Sequence, residues 1–289
     1  MDTRARPRRS VLYMPGSNPR ALEKGRTLPA DGLILDLEDA VAPDAKEGAR
    51  ATIRAALTEK GASGRRELLA RVNGLDTPWG HGDLAAMATA GADGVLLPKV
   101  ESADMVRRAC AVLDTAGGPA DLPVWCMMET PRGILHAEEI SSHPRVAGFV
   151  MGTSDLTKDL QALHTGMRLP MLPSLAICLL AARAAGIAIV DGVYLDLADE
   201  EGFVASCRQG RELGFDGKTL IHPKQIEAAN AAFGPSEDAV AVARRMIEAF
   251  EAARAEGKGV VVVDGKLVEN LHVAEARRLV ALAEAVGAG

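Results

Sequence analysis

Two acids and two basic residues in this chain have the types and spacing to work on an oxygen-rich anion. Glu129 closes the run VWCMMET and Asp155 closes the run GFVMGTSDL. Convergent carboxylates with no histidine in either run suit a hard cation. Mg²⁺ fits best, because it keeps several waters and leaves positions for substrate oxygens, and Mn²⁺ could replace it. The alternative is that each acid caps the helix after it or pairs with a lysine. Zinc finds no Cys/His ligand spacing. Arg71, in LLARVNG, lies inside an apolar run, where a guanidinium is costly unless it is paired or grips an anion. It faces either the core or an open site, and its planar fork suits a carboxylate or an acyl oxygen. Lys99, in LLPKVES, either serves a substrate or forms an ion pair with Glu38 or Asp39.

The stretch GLILDLEDAVAP poses the converse problem, because an apolar run ends in Asp36, Glu38 and Asp39. Three mutually repelling acids require a cation nearby or a site tuned for chemistry. Other basic residues carry weaker signals. MPGSNPRALEKG holds a tight turn followed by Arg20 and Lys24 on a short helix that Ser17 or Asn18 can cap. No GxGxxG or Walker pattern occurs, so no glycine loop argues for a nucleotide. The basic start MDTRARPRRS is either a solvated tail or a place where Arg8 or Arg9 meets a phosphate. His136, His143 and His164 accompany no GxSxG elbow and read as surface or packing residues. His222 either lines the site or satisfies a structural bond.

The elements that must position these residues follow from alternation. Apolar runs recur at 10–15, 32–39, 67–73, 94–100, 124–130, 146–156, 187–196 and 216–223, with Ala-rich helical stretches between them. Runs without strict alternation suit strands covered on both faces, as in parallel sheets. AKEGARATIRAALTEKG and PWGHGDLAAMATAG have helical composition, and each ends in a glycine that matches a helix stop. The polar residues ending the runs (Asp39, Asn73, Lys99, Glu129, Asp155, Asp191 and His222) recur about every 30 positions, one strand-helix-strand unit each time. Eight such units fit a (β/α)8 TIM barrel, an α/β fold of about 250 residues whose active site lies at the C-terminal ends of the strands. A doubly wound open sheet is the alternative. The barrel spans 1–233, and 234–289 forms a helix–hairpin–helix lid or arm. In that segment Ser236 caps a long amphipathic helix, Asp264-Gly265 turns a hairpin, and HVAEARRLVALAEAV makes the last helix.

Composition excludes other classes. A net charge of -6 and 3% aromatic residues argue against nucleic acid as a partner. No run of about 18 apolar residues argues for a membrane span. Cys110, Cys126, Cys178 and Cys207 lack CxxC spacing and fit reduced thiols of a cytoplasmic protein. The four valines of KGVVVVDGKLVENL would leave a sticky hairpin edge on a monomer.

Read together, PRRSVLYMPGSNPRALEKG, GLILDLEDAVAPDAK, LLARVNG, GVLLPKVES, MMETPRGIL, GTSDL, DGVYLD and GFDGKTLIHPKQI resemble, in order over roughly residues 8–275, the citrate lyase β-subunit and malyl-CoA lyase family. The resemblance implies a barrel assembled as a homotrimer or hexamer. It also implies Mg²⁺-dependent carbon–carbon cleavage or formation on a β-hydroxyacyl-CoA, giving an acyl-CoA and an α-keto acid. By motif, Glu129 and Asp155 resemble the metal ligands and Arg71 the residue that holds the substrate oxygens. Glu38 and Asp39 resemble acids that bind the metal's waters. Arg20, Lys24 and Arg9 resemble a basic entrance for CoA phosphates, and Lys99 is a further candidate for binding the substrate. Malyl-CoA lyases carry a DGKMID-like stretch that brings a catalytic aspartate to the neighbouring subunit; DGKLVEN here places Glu269 at that position. The alternatives to a lyase are a malyl-CoA thioesterase, a citrate lyase β subunit acting on an acyl carrier protein thioester, and a barrel that only binds.

Overall fold

Each of the eight apolar runs becomes a strand. The computed structural model describes residues 6–58 and 66–287. The strands are β1 (Ser10–Pro15), β2 (Gly32–Asp36), β3 (Glu67–Arg71), β4 (Gly94–Leu97), β5 (Val124–Met128), β6 (Val146–Met151), β7 (Ala188–Asp191) and β8 (Gly217–Leu220). Every neighbouring pair is parallel, and β1 pairs with both β2 and β8, so the sheet closes into a barrel. The open-sheet alternative is thereby excluded.

Parity along the strands decides what fills the barrel. Val11, Ile34, Leu69, Leu96, Trp125, Met127, Val150 and Val190 form one buried cluster, with Tyr13, Ala147 and Ala188 against it. Side chains of the opposite parity pack outward beneath the helices, as in other barrels of this type. Trp125 fits because Gly148 stands beside it on β6: a Cβ there would come under 3.0 Å from three atoms of the indole ring. Arg8 fills the space at the N-terminal end. It donates to Glu67 through Nε (2.6 Å) and Nη2 (2.8 Å) and lies 5.1 Å over the Trp125 ring.

The helices α1 (Pro19–Gly25), α2 (Lys46–Thr58), α3 (Gly80–Ala88), α4 (Ala103–Thr115), α5 (Pro131–Leu135), α6 (Ala137–Ser141), α7 (Thr153–Asp159), α8 (Leu172–Ala185), α9 (Glu200–Leu213) and α10 (Ile226–Phe233) follow the strands. Their starts are set by side chains that take orphan N–H groups. Asn18 accepts from Ala21, Ser102 from Met105, Thr130 from Gly133 and Asp199 from Gly202. On α2, Ala49, Ile53 and Leu57 recur every four residues as its buried stripe. Its expected stop at Gly61 lies outside the described residues. Gly91, at φ 87°, follows α3 as expected of a helix stop.

Several runs end earlier than their apolar pattern predicts. The stretch 32–39 is strand only to Asp36, because the Asp36 carboxylate accepts the N–H groups of Glu38 (2.9 Å) and Ala40 (3.1 Å) and turns the chain. The stretch 146–156 is strand only to Met151, and Asp155 lies in the first turn of α7 rather than on a strand.

The chain divides into two compact units, Arg8–Ala232 and a second that groups Met1–Pro7 with Phe233–Gly289. In the second, α11 (Glu237–Ala255), β9 (Val261–Val263), β10 (Lys266–Val268) and α12 (Asn270–Gly287) give the expected helix–hairpin–helix. Ser236 caps α11, accepting from Ala239. Asp264 (φ 49°) and Gly265 (φ 76°) make the tight turn, since both central positions of such a turn need positive φ. Phe250, Val263, Val268 and Val273 form its small core. Among the described residues no helix is long and apolar enough to cross a membrane, and all four cysteines are buried and unpaired.

Gly148→Ala should destabilise the barrel by about 1–3 kcal/mol through overpacking against Trp125. Urea unfolding, read as a lower midpoint at unchanged slope, measures it.

Candidate active site

Asp36 ends β2 facing inward, on the same parity as Ile34, and Arg71 ends β3 directly beside it. Asp36 has no exposed surface, and Arg71 is 6% exposed. The guanidinium donates to Asp36 through Nε (2.7 Å) and Nη2 (2.6 Å), a bidentate fork. Its plane lies 4.9 Å over the Tyr13 ring. Arg71 thus faces the mouth, but two of its nitrogens serve Asp36, and only Nη1 reaches further. That nitrogen is 2.8 Å from Glu38 Oε2 and 3.4 Å from Asp39 Oδ2. Burial holds the Tyr13 hydroxyl above its usual range, so the phenol stays neutral beneath the guanidinium.

The loop that carries Glu38 and Asp39 is tied down from below. Lys46 Nζ donates to the carbonyls of Leu37 (3.0 Å) and Glu38 (2.8 Å) and to Asn73 Oδ1 (2.8 Å). Asn73 Nδ2 donates to Leu37 O and to Asp83, and Asp83 pairs with Arg50 at 2.5 Å. Asn73 is therefore a buried strut rather than a group that faces ligand.

Across the mouth, Glu129 follows β5 and is 2% exposed. Its Oε1 accepts the peptide N–H of Lys99 at 2.8 Å. Gly152 makes the room: a Cβ there would strike Glu129 Cβ and Oε2. Burial pushes the Glu129 carboxyl up to about 7; the N–H and charge of Lys99 oppose this, and the charges of Glu38 and Asp155 add to it. Glu38 is likewise raised by burial, with Arg71 pulling it down, Asp39 pushing it up and the Lys99 hydrogen bond pulling it down. Lys99 Nζ stands 3.0 Å from Glu38 Oε1 and 3.7 Å from Asp155 Oδ2. Burial works against that ammonium, but the hydrogen bond to Glu38 and the surrounding acids outweigh it and raise its pKa.

The structure thus brings together Arg71, Glu38, Asp39, Lys99, Glu129 and Asp155. Arg20 and Lys24 lie exposed on α1, which leaves the C-terminal end of β1 and so starts on the mouth side. Arg9 does not join them. It stands at the N-terminal end of β1, opposite the acids, and Asp31 binds its Nε and Nη2 at 2.8 Å each. Arg8 is buried against Glu67, so neither arginine offers the phosphate site that the basic start suggested. Asp191 points away from the mouth. It pairs with Lys218 Nζ (2.8 Å) and with Arg168 Nη1, and these cations hold its carboxyl below the usual range despite burial. His222 Nδ1 accepts the N–H of Lys224, capping a 3-10 turn at Pro223–Gln225. Glu269 sits in the second unit at the start of α12, where its carbonyl accepts from His272 and Val273 and its N–H donates to His272 Nδ1.

Sequence reasoning missed Tyr13, the anchoring role of Asp36, the Lys46–Asn73–Asp83 strut and Gly152. The period of two could have found Tyr13 and Asp36, which continue the inward parity of Val11 and Ile34. No local signal marks Gly152, because the constraint comes from another strand.

Among the described residues no group of three or more His, Cys, Asp or Glu could hold a metal ion. Glu129 and Asp155 offer two carboxylates at the mouth, hard oxygen donors that would suit Mg²⁺ if water and substrate completed its shell. A carboxylate that burial and two neighbouring acids push toward protonation is also one that a cation would stabilise.

Residues 9–223, the span that builds the barrel and its mouth, match the family model HpcH/HpaI aldolase/citrate lyase, and the chain belongs to that family. It is 54% identical over 288 residues to a protein named (3S)-malyl-CoA thioesterase from Cereibacter sphaeroides, covering 100% of this chain and 99% of the relative. It is 37% identical to the L-malyl-CoA/beta-methylmalyl-CoA lyase of the same species, covering 98% of this chain and 97% of the lyase. Among solved structures, CitE from Mycobacterium tuberculosis in complex with magnesium, acetoacetate and coenzyme A superposes with a TM-score of 0.76 at 30% identity, covering 97% of this chain and 99% of that one.

The raised Glu129 predicts a sign for pH dependence. Its folded value of about 7 exceeds the ordinary 4.5, so between these values the native state binds more protons than the unfolded state. Stability of the metal-free protein from this group therefore falls as pH rises through that window. Glu129→Gln should remove this component, so its stability relative to wild type should grow from pH 4.5 to 7 in EDTA. Urea melts across that range measure it.

Proposed function

We propose that this chain is an Mg²⁺-dependent thioesterase that hydrolyses malyl-CoA or a closely related β-hydroxyacyl-CoA to free CoA and the hydroxy acid. The observation that carries this reading is the 54% identity to a (3S)-malyl-CoA thioesterase, which runs through the C-terminal unit as well as the barrel. Carbon–carbon lysis, the main expectation from the sequence motifs, becomes the second reading. It is supported by the 37% identity to a malyl-CoA lyase and by the acid set the barrel mouth presents.

Glu129 and Asp155 would hold the metal. When bound, it supplies Lewis acidity to the hydroxyl and carboxylate oxygens of the substrate. Arg71 cannot swing, because Asp36 and Tyr13 fix its plane. Its Nη1, which pairs with Glu38 and Asp39, would also donate to negative charge that develops on the thioester oxygen. Glu38, raised by burial, is a better base near neutrality than an exposed glutamate, and it faces the same guanidinium edge. It would take the proton of the attacking water as the new C–O bond forms, and the C–S bond would break to release the CoA thiolate. Asp39, at the rim, would order water with it. Arg20 and Lys24 would meet the CoA phosphates, with Lys99 nearer the acyl group. Glu269 would serve as an acid from a neighbouring subunit of a homotrimer or hexamer.

Incubation with malyl-CoA, with Mg²⁺ or with EDTA, and mass spectrometry of the products test the reading. Free CoA plus malate, seen only with metal, is the expected outcome; an acyl-CoA plus an α-keto acid would make the chain a lyase. Arg71→Lys should lower kcat by roughly 10²-fold by losing the aligned donor. Glu269→Gln should lower turnover by about 10²-fold or more while Mg²⁺ affinity stays constant; normal turnover would remove Glu269 from the chemistry.

A further inference from the structure

The acid cluster at the mouth already holds a cation of the chain's own. Lys99 lies just past β4 with its backbone at φ 47°, in the left-handed region that L side chains other than asparagine seldom enter. Such strain persists only where surrounding contacts hold it. Here the contacts are to three acids at once: the Lys99 N–H binds Glu129 Oε1 at 2.8 Å, and its ammonium stands 3.0 Å from Glu38 Oε1 and 3.7 Å from Asp155 Oδ2. The two cations of the mouth differ in freedom. The Arg71 side chain is 8% exposed and forked onto Asp36, whereas that of Lys99 is 47% exposed on a flexible four-carbon stem. The Lys99 side chain meets Glu38 and Asp155 through its terminal ammonium, while its backbone is held by the separate N–H bond to Glu129.

Resting on the reading that Glu129 and Asp155 hold a divalent cation, we propose that Lys99 is a tethered counter-cation. It occupies the acid cluster of the metal-free enzyme, competes with the metal for it, and is released toward the substrate when the metal binds. An ammonium beside Asp155 and a metal held by Asp155 and Glu129 draw on the same negative charge and repel each other over a few ångströms. With the metal absent, Lys99 offsets repulsion among Glu38, Glu129 and Asp155. With the metal present, that work is done by the ion, and the ammonium becomes a three-donor group free to meet an anionic acyl substrate. Because only the peptide N–H of Lys99 touches Glu129, changing the side chain removes the competing charge and leaves the bond that orients Glu129.

Calorimetric titration of MgCl2 into wild type, Lys99→Met and Lys99→Arg at pH 8 tests this, together with thermal melts in EDTA. Lys99→Met should bind Mg²⁺ about tenfold more tightly and melt at a lower temperature without metal, and Lys99→Arg should keep the wild-type affinity. Unchanged or weaker Mg²⁺ binding by Lys99→Met, with wild type binding normally, overturns the proposal and leaves the metal assignment intact. Failure of wild type itself to bind Mg²⁺ overturns the metal reading and the proposal with it. If Lys99→Met does not fold, NMR of the ¹³C-methylated wild-type lysines decides. An Mg²⁺-dependent shift of the Lys99 signal supports exchange, and an unmoved signal overturns it.

Discussion

A carboxylate with no exposed surface, Asp36, faces a guanidinium on the neighbouring strand through two short, parallel hydrogen bonds. Burying such a pair stabilises a fold only modestly, since desolvation offsets much of the attraction, but it fixes geometry that neither partner could leave alone. Two consequences follow from the same carboxylate. It aims Arg71 Nη1 into the mouth, and by accepting the N–H groups of Glu38 and Ala40 it ends β2 and folds the acidic loop over the barrel rim. Tyr13 below the guanidinium and Lys46 below the loop complete the support. The mouth is thus built on a charge pair whose two parallel bonds leave only Arg71 Nη1 to face it.

Around that anchor acids outnumber cations. Glu38, Asp39, Glu129 and Asp155 converge on Arg71 and Lys99, and burial raises both Glu38 and Glu129. The excess negative charge of the mouth is what a cation would offset. One of its own cations is buried and forked onto Asp36, and the other is half exposed at the rim. The difference between the arginine and the lysine is physical: a planar fork can be pinned at two nitrogens, while a single ammonium on a flexible stem cannot.

The relatives this chain is similar to carry more than one activity in their names, a thioesterase and a lyase. Fold alone therefore does not assign the reaction. What the two chemistries share is charge building on an acyl oxygen beside a hydroxy acid. What differs is whether water or a carbon–carbon bond reacts, a choice that depends on small changes in who donates the proton.

The eight strands and the helix–hairpin–helix were legible in the sequence, because period and punctuation are local properties: apolar runs separated by capped helices at a regular interval admit few folds. The grouping of Arg71, Glu129 and Asp155 was legible for the same reason, since strand order alone carries their positions to one end of a barrel. Other features needed the folded chain. Whether Arg71 faced core or mouth depended on Asp36 lying opposite it in register. Lys99 was open between two roles, and only its approach to Glu38 and Asp155 showed the pairing. Arg8 and Arg9 read as a phosphate site until Glu67 and Asp31, far along the chain or across a turn, took them. Gly152 carries no local signal, because the side chain it must admit, Glu129, comes from the adjacent strand. Sequence by itself determined which residues lie at which end of which strand; tertiary structure decided which charges meet, because the pairing of charges is set by distances through space that local patterns do not encode.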